Sequence, residues 1–403
     1  MSSAEQCDVL IAGAGPAGLA AALFLIKCRP ALAGRIFALE KARHPRPKVC
    51  AGGLVPKTLA ALDHLGVPLD VPSVEVIAGT ARTEIGSVIL PPGDVLCTIV
   101  RRDQFDSSLA AAARRAGVRI VENCRVDQVE EGADSVRVRS EQGVFEAPIL
   151  IGADGSGSRV RRAIFNPDRE FIGRGLMIDL PVSAESSVEF RDHILRFDFA
   201  CVAAGVRGYA WSFPCLINGQ PHLNIGIYDQ TADRPLSNKL LIPELRKAFA
   251  ELDIPGDSQR FRAFPIRWFD AEARFASRRV LLAGDAAGVD PLMGEGISYA
   301  FEHGRAAAGS ISRFLDGDRN ALTDYDHVLR HGSIGRKLSR LAFAARKFYG
   351  PRHRIYFRMA HLSRKAQQIG VNWYNGARML DEMPARRLIA RWITAVLLRR
   401  SVR

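Results

Sequence analysis

The sequence has little that would place it across a membrane or brace it covalently. No stretch of its 403 residues is long and apolar enough to span a bilayer. The first apolar run, Val9 to Leu25, is broken by three glycines and Pro16, and no basic leader precedes it, so an export signal is not expected. The seven cysteines (Cys7, Cys28, Cys50, Cys97, Cys124, Cys201 and Cys215) are odd in number and irregular in spacing. No pair has metal-ligand spacing. This predicts a reduced, cytoplasmic chain with neither a disulfide framework nor a metal site. Internal repeats and low-complexity tracts are also lacking, which argues against solenoids and disordered scaffolds. What remains is a globular composition, 47% hydrophobic and 25% charged, at a length suited to two domains and a tail.

The net charge of +13 is unevenly placed. Eighteen Lys and Arg residues lie between Arg330 and Arg403, against only Asp381 and Glu382, so the rest of the chain is slightly acidic. A basic tail points to an anionic partner. No nucleic-acid-binding module accompanies it, so nucleic acid is not expected. In the segment Arg386 to Arg400, the residues Leu388, Ile389, Trp392, Ile393, Val396 and Leu397 fall on one face at helical spacing. Such a helix either lies in a membrane interface or packs on the protein with its arginines outward. The expected location is cytoplasmic, with peripheral contact to an anionic membrane through this tail.

Hydrophobic periodicity divides the chain. A buried strand near Asp8 to Gly13, an Ala/Leu-rich helix from Pro16 to Lys27 and a strand from Arg35 to Glu40 form one βαβ unit. A short helix is expected over Val55 to Leu65, another from near Leu109 to Ala116, and a small antiparallel meander between Val126 and Ala147. Ile149 to Ala153 and Val280 to Ala283 read as buried strands. Between them, alternating aromatic-rich segments such as Ile194 to Phe199 and Leu223 to Tyr228 suit an antiparallel sheet. From Asp324 onward the pattern is helical with basic faces. The expected fold is α/β (α+β): a Rossmann-like nucleotide domain over 1–70, 96–165 and 268–323, an inserted antiparallel β-sheet substrate domain over 71–95 and 166–267, and a basic helical C-terminal region over 324–403.

Gly13-Ala-Gly15-Pro-Ala-Gly18 follows a strand and opens a helix. The glycines allow a tight turn, close approach to a pyrophosphate and close helix packing, while the helix N-terminus offers unsatisfied N–H groups. Glu40 ends the next strand about twenty residues on, where a carboxylate accepts from ribose hydroxyls. A second signature comes late: Gly284-Asp285 after a buried strand, then Pro291-Leu-Met-Gly294-Glu-Gly296-Ile297 opening a long helix. A carboxylate on such a turn suits a ribityl chain, and the helix N-terminus suits the electron-rich edge of a reduced isoalloxazine. NAD has neither group. Two separated signatures therefore argue for FAD. Arg102, at a helix start, is placed to reach the flavin or its phosphates.

Together these motifs, with Phe105-Asp106 and Gly152-Ala-Asp154-Gly155 followed by Ser158, resemble the flavoprotein family of p-hydroxybenzoate hydroxylase-like monooxygenases over roughly residues 7 to 315. Two further segments are similar to those of geranylgeranyl reductases: Lys48-Val-Cys50-Ala-Gly52-Gly53 and Tyr209-Ala-Trp211-Ser-Phe213-Pro214. Members of that family saturate isoprenoid double bonds in archaeal lipids, chlorophyll side chains and menaquinone tails. The resemblance implies FAD contacts at Ala17, Glu40, Cys50, Ala51, Gly53, Arg102, Val126, Asp285, Gly296 and Ile297. One departure stands out: where the family often has Gly-x-Gly, Gly226 is followed here by Ile227 and Tyr228.

The implied activity is FAD-dependent reduction of carbon–carbon double bonds in an isoprenoid chain. The alternatives are an FAD-dependent monooxygenase acting on an apolar or aromatic substrate, and an electron carrier to a quinone pool. An isolated alkene has no carbonyl to receive charge, so Tyr209, Trp211 and Phe213 are expected to bind the substrate and to stabilise a developing cation. The same alternation also describes a half-buried strand. Cys50 is the expected proton donor or flavin-shielding group, with Lys48 as a nearby cation to polarise it. Tyr209 and Trp211 complete the expected catalytic set. The absence of a second complete dinucleotide motif leaves NAD(P)H and ferredoxin both open as electron donor.

Overall fold

The computed structural model describes residues 4–90, 95–167, 170–230, 237–362, 367 and 370. The amphipathic segment from Arg386 to Arg400 lies outside them. The nucleotide layer is a five-stranded parallel sheet in the order Val280–Leu282, Ile149–Gly152, Val9–Ala12, Ile36–Leu39, Arg119–Val121. Four of its strands are short, fully buried apolar runs, as expected of a parallel sheet covered on both faces, and the edge strand Arg119–Val121 is more exposed. Pro16–Cys28 follows the first strand and packs against the long helix Ile297–Leu315. Their closeness depends on Gly304, where an added Cβ would stand 2.7 Å from the Ala21 nitrogen.

A seven-stranded sheet forms the second layer, in the order Arg262–Arg267, Ile172–Pro181, Gln220–Asp229, Gly208–Ile217, Ile194–Asp198, Ala78–Thr83, Gly86–Leu90. The expectation of a purely antiparallel sheet needs correction. Ile194–Asp198 and Ala78–Thr83 run parallel. The two strands come from distant parts of the chain, so no tight hairpin dictates their direction. A three-stranded sheet of Gly53–Leu54, Cys97–Val100 and Ser73–Val76 links the two layers. The expected meander is present as Val126–Glu131, Val136–Ser140 and Gly143–Ala147, with Glu5–Gln6 added parallel at its edge.

One helix begins earlier than its apolar pattern predicts. It spans Arg102–Arg115, with Arg102 as its first residue. Asp103, Gln104, Ser107 and Ser108 dilute the period, and only Phe105 and Leu109 repeat it inward in that stretch. After the nucleotide domain, helices Ala321–His331, Ser333–Phe348 and His353–Leu362 pack back toward the sheets. None of the seven cysteines is in a disulfide. Among the described residues, no helix is long and apolar enough to cross a membrane, and no cluster of His, Cys, Asp or Glu could hold a metal.

Candidate active site

A cavity of about 600 Å³ runs along the carboxyl ends of the parallel strands. Gly13, Gly15, Ala17, Glu40, Cys50, Arg102, Val126, Asp285, Gly296 and Ile297 all line it. Ten of the thirteen residues expected at a cofactor thus meet in one place. Gly18 does not line it, for a physical reason: its missing Cβ would stand 2.1 Å from the Gly13 carbonyl oxygen, so it serves helix–strand packing. Ala51 and Gly53 are also set back. Ala51 packs against the aromatic cluster of the second layer, and Gly53 starts a strand paired with Ile99.

The cavity's polar groups are organised by backbone and charge. Glu40 accepts from the N–H groups of Ala14 and Ala42, each at 3.1 Å, which fixes its carboxylate at the mouth of the glycine turn. Arg46, which the sequence reading missed, bridges Glu40 and Asp106 at 3.3 Å each. Its buried Nε meets Glu40 as an ion pair without hydrogen-bond geometry. Asp285 accepts from the Ser156 hydroxyl at 3.0 Å. The turn that carries it is held from behind: the Gly284 N–H donates to His303 Nδ1 at 3.1 Å, and burial pushes this histidine down to about 4. Arg102 forks onto Asp106 at 2.8 and 3.1 Å. Burial disfavours its charge, but Asp106 and Cys50 outweigh that and raise its pKa. Arg102 is thus a cation that interacts with Cys50, and Lys48, the cation expected there, lines the same cavity.

These residues fit FAD. Bare backbone at Gly15 faces open space, with only Arg46 at 3.5 Å from a built Cβ. Gly13 to Gly15 and the following helix start would hold the pyrophosphate, Glu40 the ribose, Asp285 the ribityl chain, and Gly296 with Ile297 the isoalloxazine. When bound, the flavin supplies reversible two-electron chemistry.

A second cavity of about 180 Å³ adjoins the loop before the long helix. Its walls are mainly apolar: Val88 and Leu90 on the edge strand, Phe197 and Phe199, and Leu341, Phe348 and Phe357 on the C-terminal helices. One loop serves both cavities. Val289, Gly294, Gly296 and Ile297 face the first; Asp290, Leu292, Met293, Glu295 and Ser298 face the second. Three side chains hold the loop's carbonyls. Gln230 donates to Pro291 at 2.6 Å, Tyr349 to Leu292 at 2.5 Å, and Tyr209 to Met293.

Tyr209, Trp211 and Phe213 are buried beside this loop, and none of them is among the lining residues of either cavity. Trp211 donates to Asn224 at 2.8 Å, and its ring fills the space over Gly226, where a built Cβ would stand 2.1 Å from it. Phe213 packs edge-on against Phe197, with ring centroids 5.3 Å apart. The aromatic wall of the apolar cavity comes instead from Phe197, Phe199, Tyr299, Phe348 and Phe357, which no motif marks. Tyr228, the bulky departure from Gly-x-Gly, is buried with its hydroxyl unpartnered, close to Gly294.

Residues 6–331 match the family described as FAD binding domain. The chain belongs to that family. This flavoprotein is an FAD-dependent oxidoreductase, and reductases are among its relatives. It is 28% identical over 363 residues to the menaquinone reductase of Mycolicibacterium smegmatis, covering 83% of this chain and 84% of that one. It is 29% identical over 374 residues to digeranylgeranylglycerophospholipid reductase 1 of Methanothermobacter thermautotrophicus, covering 83% and 85%. Among solved structures, the flavoprotein shares its fold with a geranylgeranyl bacteriochlorophyll reductase-like protein of Thermoplasma acidophilum. The TM-score is 0.73 at 20% identity, covering 92% of this chain and 96% of that one.

Proposed function

We propose that this flavoprotein reduces carbon–carbon double bonds of an isoprenoid chain carried by a lipid, quinone or pigment. The observation that carries the reading is the shared loop: an apolar cavity lies on one side of Asp290 to Ser298 and the FAD cavity on the other. An apolar chain gains about 25 cal/mol for each Å² it buries in such a cavity. The names of the two reductase relatives support the same substrate class. The C-terminal arginines suit contact with an anionic membrane, from which such a chain would be drawn. Mass spectrometry of lipids and quinones from cells with and without the protein tests the reading. Loss of the protein should shift one isoprenoid species down by paired hydrogens. Identical lipid and quinone profiles would overturn it, and coupled oxygen uptake with a hydroxylated product would favour a monooxygenase.

A further inference from the structure

Reducing an isolated alkene requires a proton as well as electrons, and an apolar cavity has few groups that hold one. In the second cavity the ionisable lining residues are Asp290, Glu295, Tyr299, Lys337 and His361. Asp290 differs from the others in its position. It belongs to the loop that also lines the FAD cavity, next to Val289 on that cavity's wall. Its residue is 4% exposed. Its Oδ1 accepts from the Leu292 N–H at 2.6 Å, which orients the carboxyl. No Lys, Arg or His lies within 4.0 Å of it as an ion pair among the described residues. Glu295 is already engaged by the Ser298 N–H at 2.8 Å and hydroxyl at 2.5 Å. Lys337 sits 5.5 Å from the Tyr299 ring. Cys50 lines the FAD cavity and not this one.

We propose that the Asp290 carboxyl is the acid that delivers a proton to the alkene, a role that rests on the reductase reading above. In the step, the carbon–carbon π bond breaks and two C–H bonds form. The bound, reduced flavin would supply both electrons and one hydrogen, and the Asp290 O–H gives the other hydrogen as a proton. Asp290 is left as a carboxylate, which takes a proton back from water.

The environment suits an acid that is protonated near neutrality. Burial pushes the Asp290 carboxyl up to about 7, Glu295 pushes the same way, and the Leu292 N–H and Lys337 oppose them. Tyr209, Tyr228 and Tyr349 are the other titratable groups that face it, from two strands and a helix C-terminus, and burial keeps all three neutral. The alkene step should therefore slow as pH rises through about 7, where the acid loses its proton.

The test uses the FAD-loaded full chain reduced with dithionite. The probes are a polyprenyl menaquinone, a digeranylgeranylglycerol phospholipid and a geranylgeranylated chlorophyll. Asp290→Asn keeps the acceptor for Leu292 and should bind FAD with an unchanged visible spectrum. It should lose about 10²- to 10⁴-fold in the alkene step, together with the alkaline limb of the pH profile. Asp290→Glu should recover part of the rate. A rate and pH profile in Asp290→Asn equal to wild type would overturn the assignment, as would loss of the same limb in Cys50→Ser but not in Asp290→Asn. If wild type reduces none of the three probes, the reductase reading fails, and infrared difference spectra then decide on Asp290 alone. A protonated-carboxyl band at neutral pH that is absent from Asp290→Asn, and that shifts when the saturated isoprenoid phytane is bound, keeps it as the cavity's proton carrier. A band that phytane leaves unmoved overturns it.

Discussion

The Tyr209 hydroxyl donates to the Met293 carbonyl, joining the aromatic strand to the loop between the two cavities. A tyrosine expected to face substrate is instead a brace, and the loop it braces carries residues of both cavities. With Gln230 and Tyr349 engaging the two preceding carbonyls, the loop's acceptors are held on the protein side. Tyr209→Phe should leave the Met293 carbonyl without its hydroxyl and cost about 1–3 kcal/mol of stability. FAD should still be retained. Thermal unfolding with parallel measurement of bound flavin checks this; an unchanged Tm would show that the brace carries no energy.

Trp211→Ala should be more damaging than its expected role in substrate contact implies. The ring fills the space over Gly226 and its N–H is paired with Asn224. Emptying that volume should cost about 3–5 kcal/mol. Denaturant titration measures it, and a loss below 1 kcal/mol would mean that the neighbours collapse into the space.

Gly15 and Gly18 should fail differently. A Cβ at Gly15 enters the open FAD cavity, so Gly15→Val should fold but not retain FAD. A Cβ at Gly18 meets the Gly13 carbonyl at 2.1 Å and the Ile11 side chain at 2.9 Å, so Gly18→Val should disrupt the first helix and strand themselves. Circular dichroism and flavin absorbance separate the two outcomes. A folded Gly15→Val protein at full FAD occupancy would contradict the assignment of the pyrophosphate site.

His303 predicts an acid-labile component of stability. In the folded chain it stays neutral until about pH 4, whereas an unfolded histidine takes up its proton near 6.5. Between those values the unfolded state binds more protons, so stability falls as pH drops from about 6.5 to about 4. Urea unfolding of wild type and His303→Asn at several pH values isolates the part owed to this residue. Parallel pH dependence in the two proteins would remove His303 as its source.

The C-terminal arginines should bind the full chain to anionic liposomes, with binding weakened by salt. A chain ending at Pro384 should bind less. Equal sedimentation with liposomes by both would exclude the segment beyond Pro384 as the contact.

The glycine turn, Glu40 and the Gly284-Asp285 turn were legible in the sequence because each works locally. A strand, a tight turn and a helix start lie within a few residues of one another, and their backbone geometry follows from residue type. The parallel sheet was legible for a similar reason, since its central strands are uninterrupted apolar runs. What only the tertiary structure decided is where side chains point once distant segments meet. Tyr209 and Met293 are 84 positions apart, and no periodicity relates them. The apolar cavity draws on an edge strand, the loop at Asp290 and helices beyond Ser333, so its walls exist only after all three have packed. Asp290 itself reads as an ordinary loop acid in the sequence. Burial against those elements removes its water, and a carboxyl deprived of water keeps its proton.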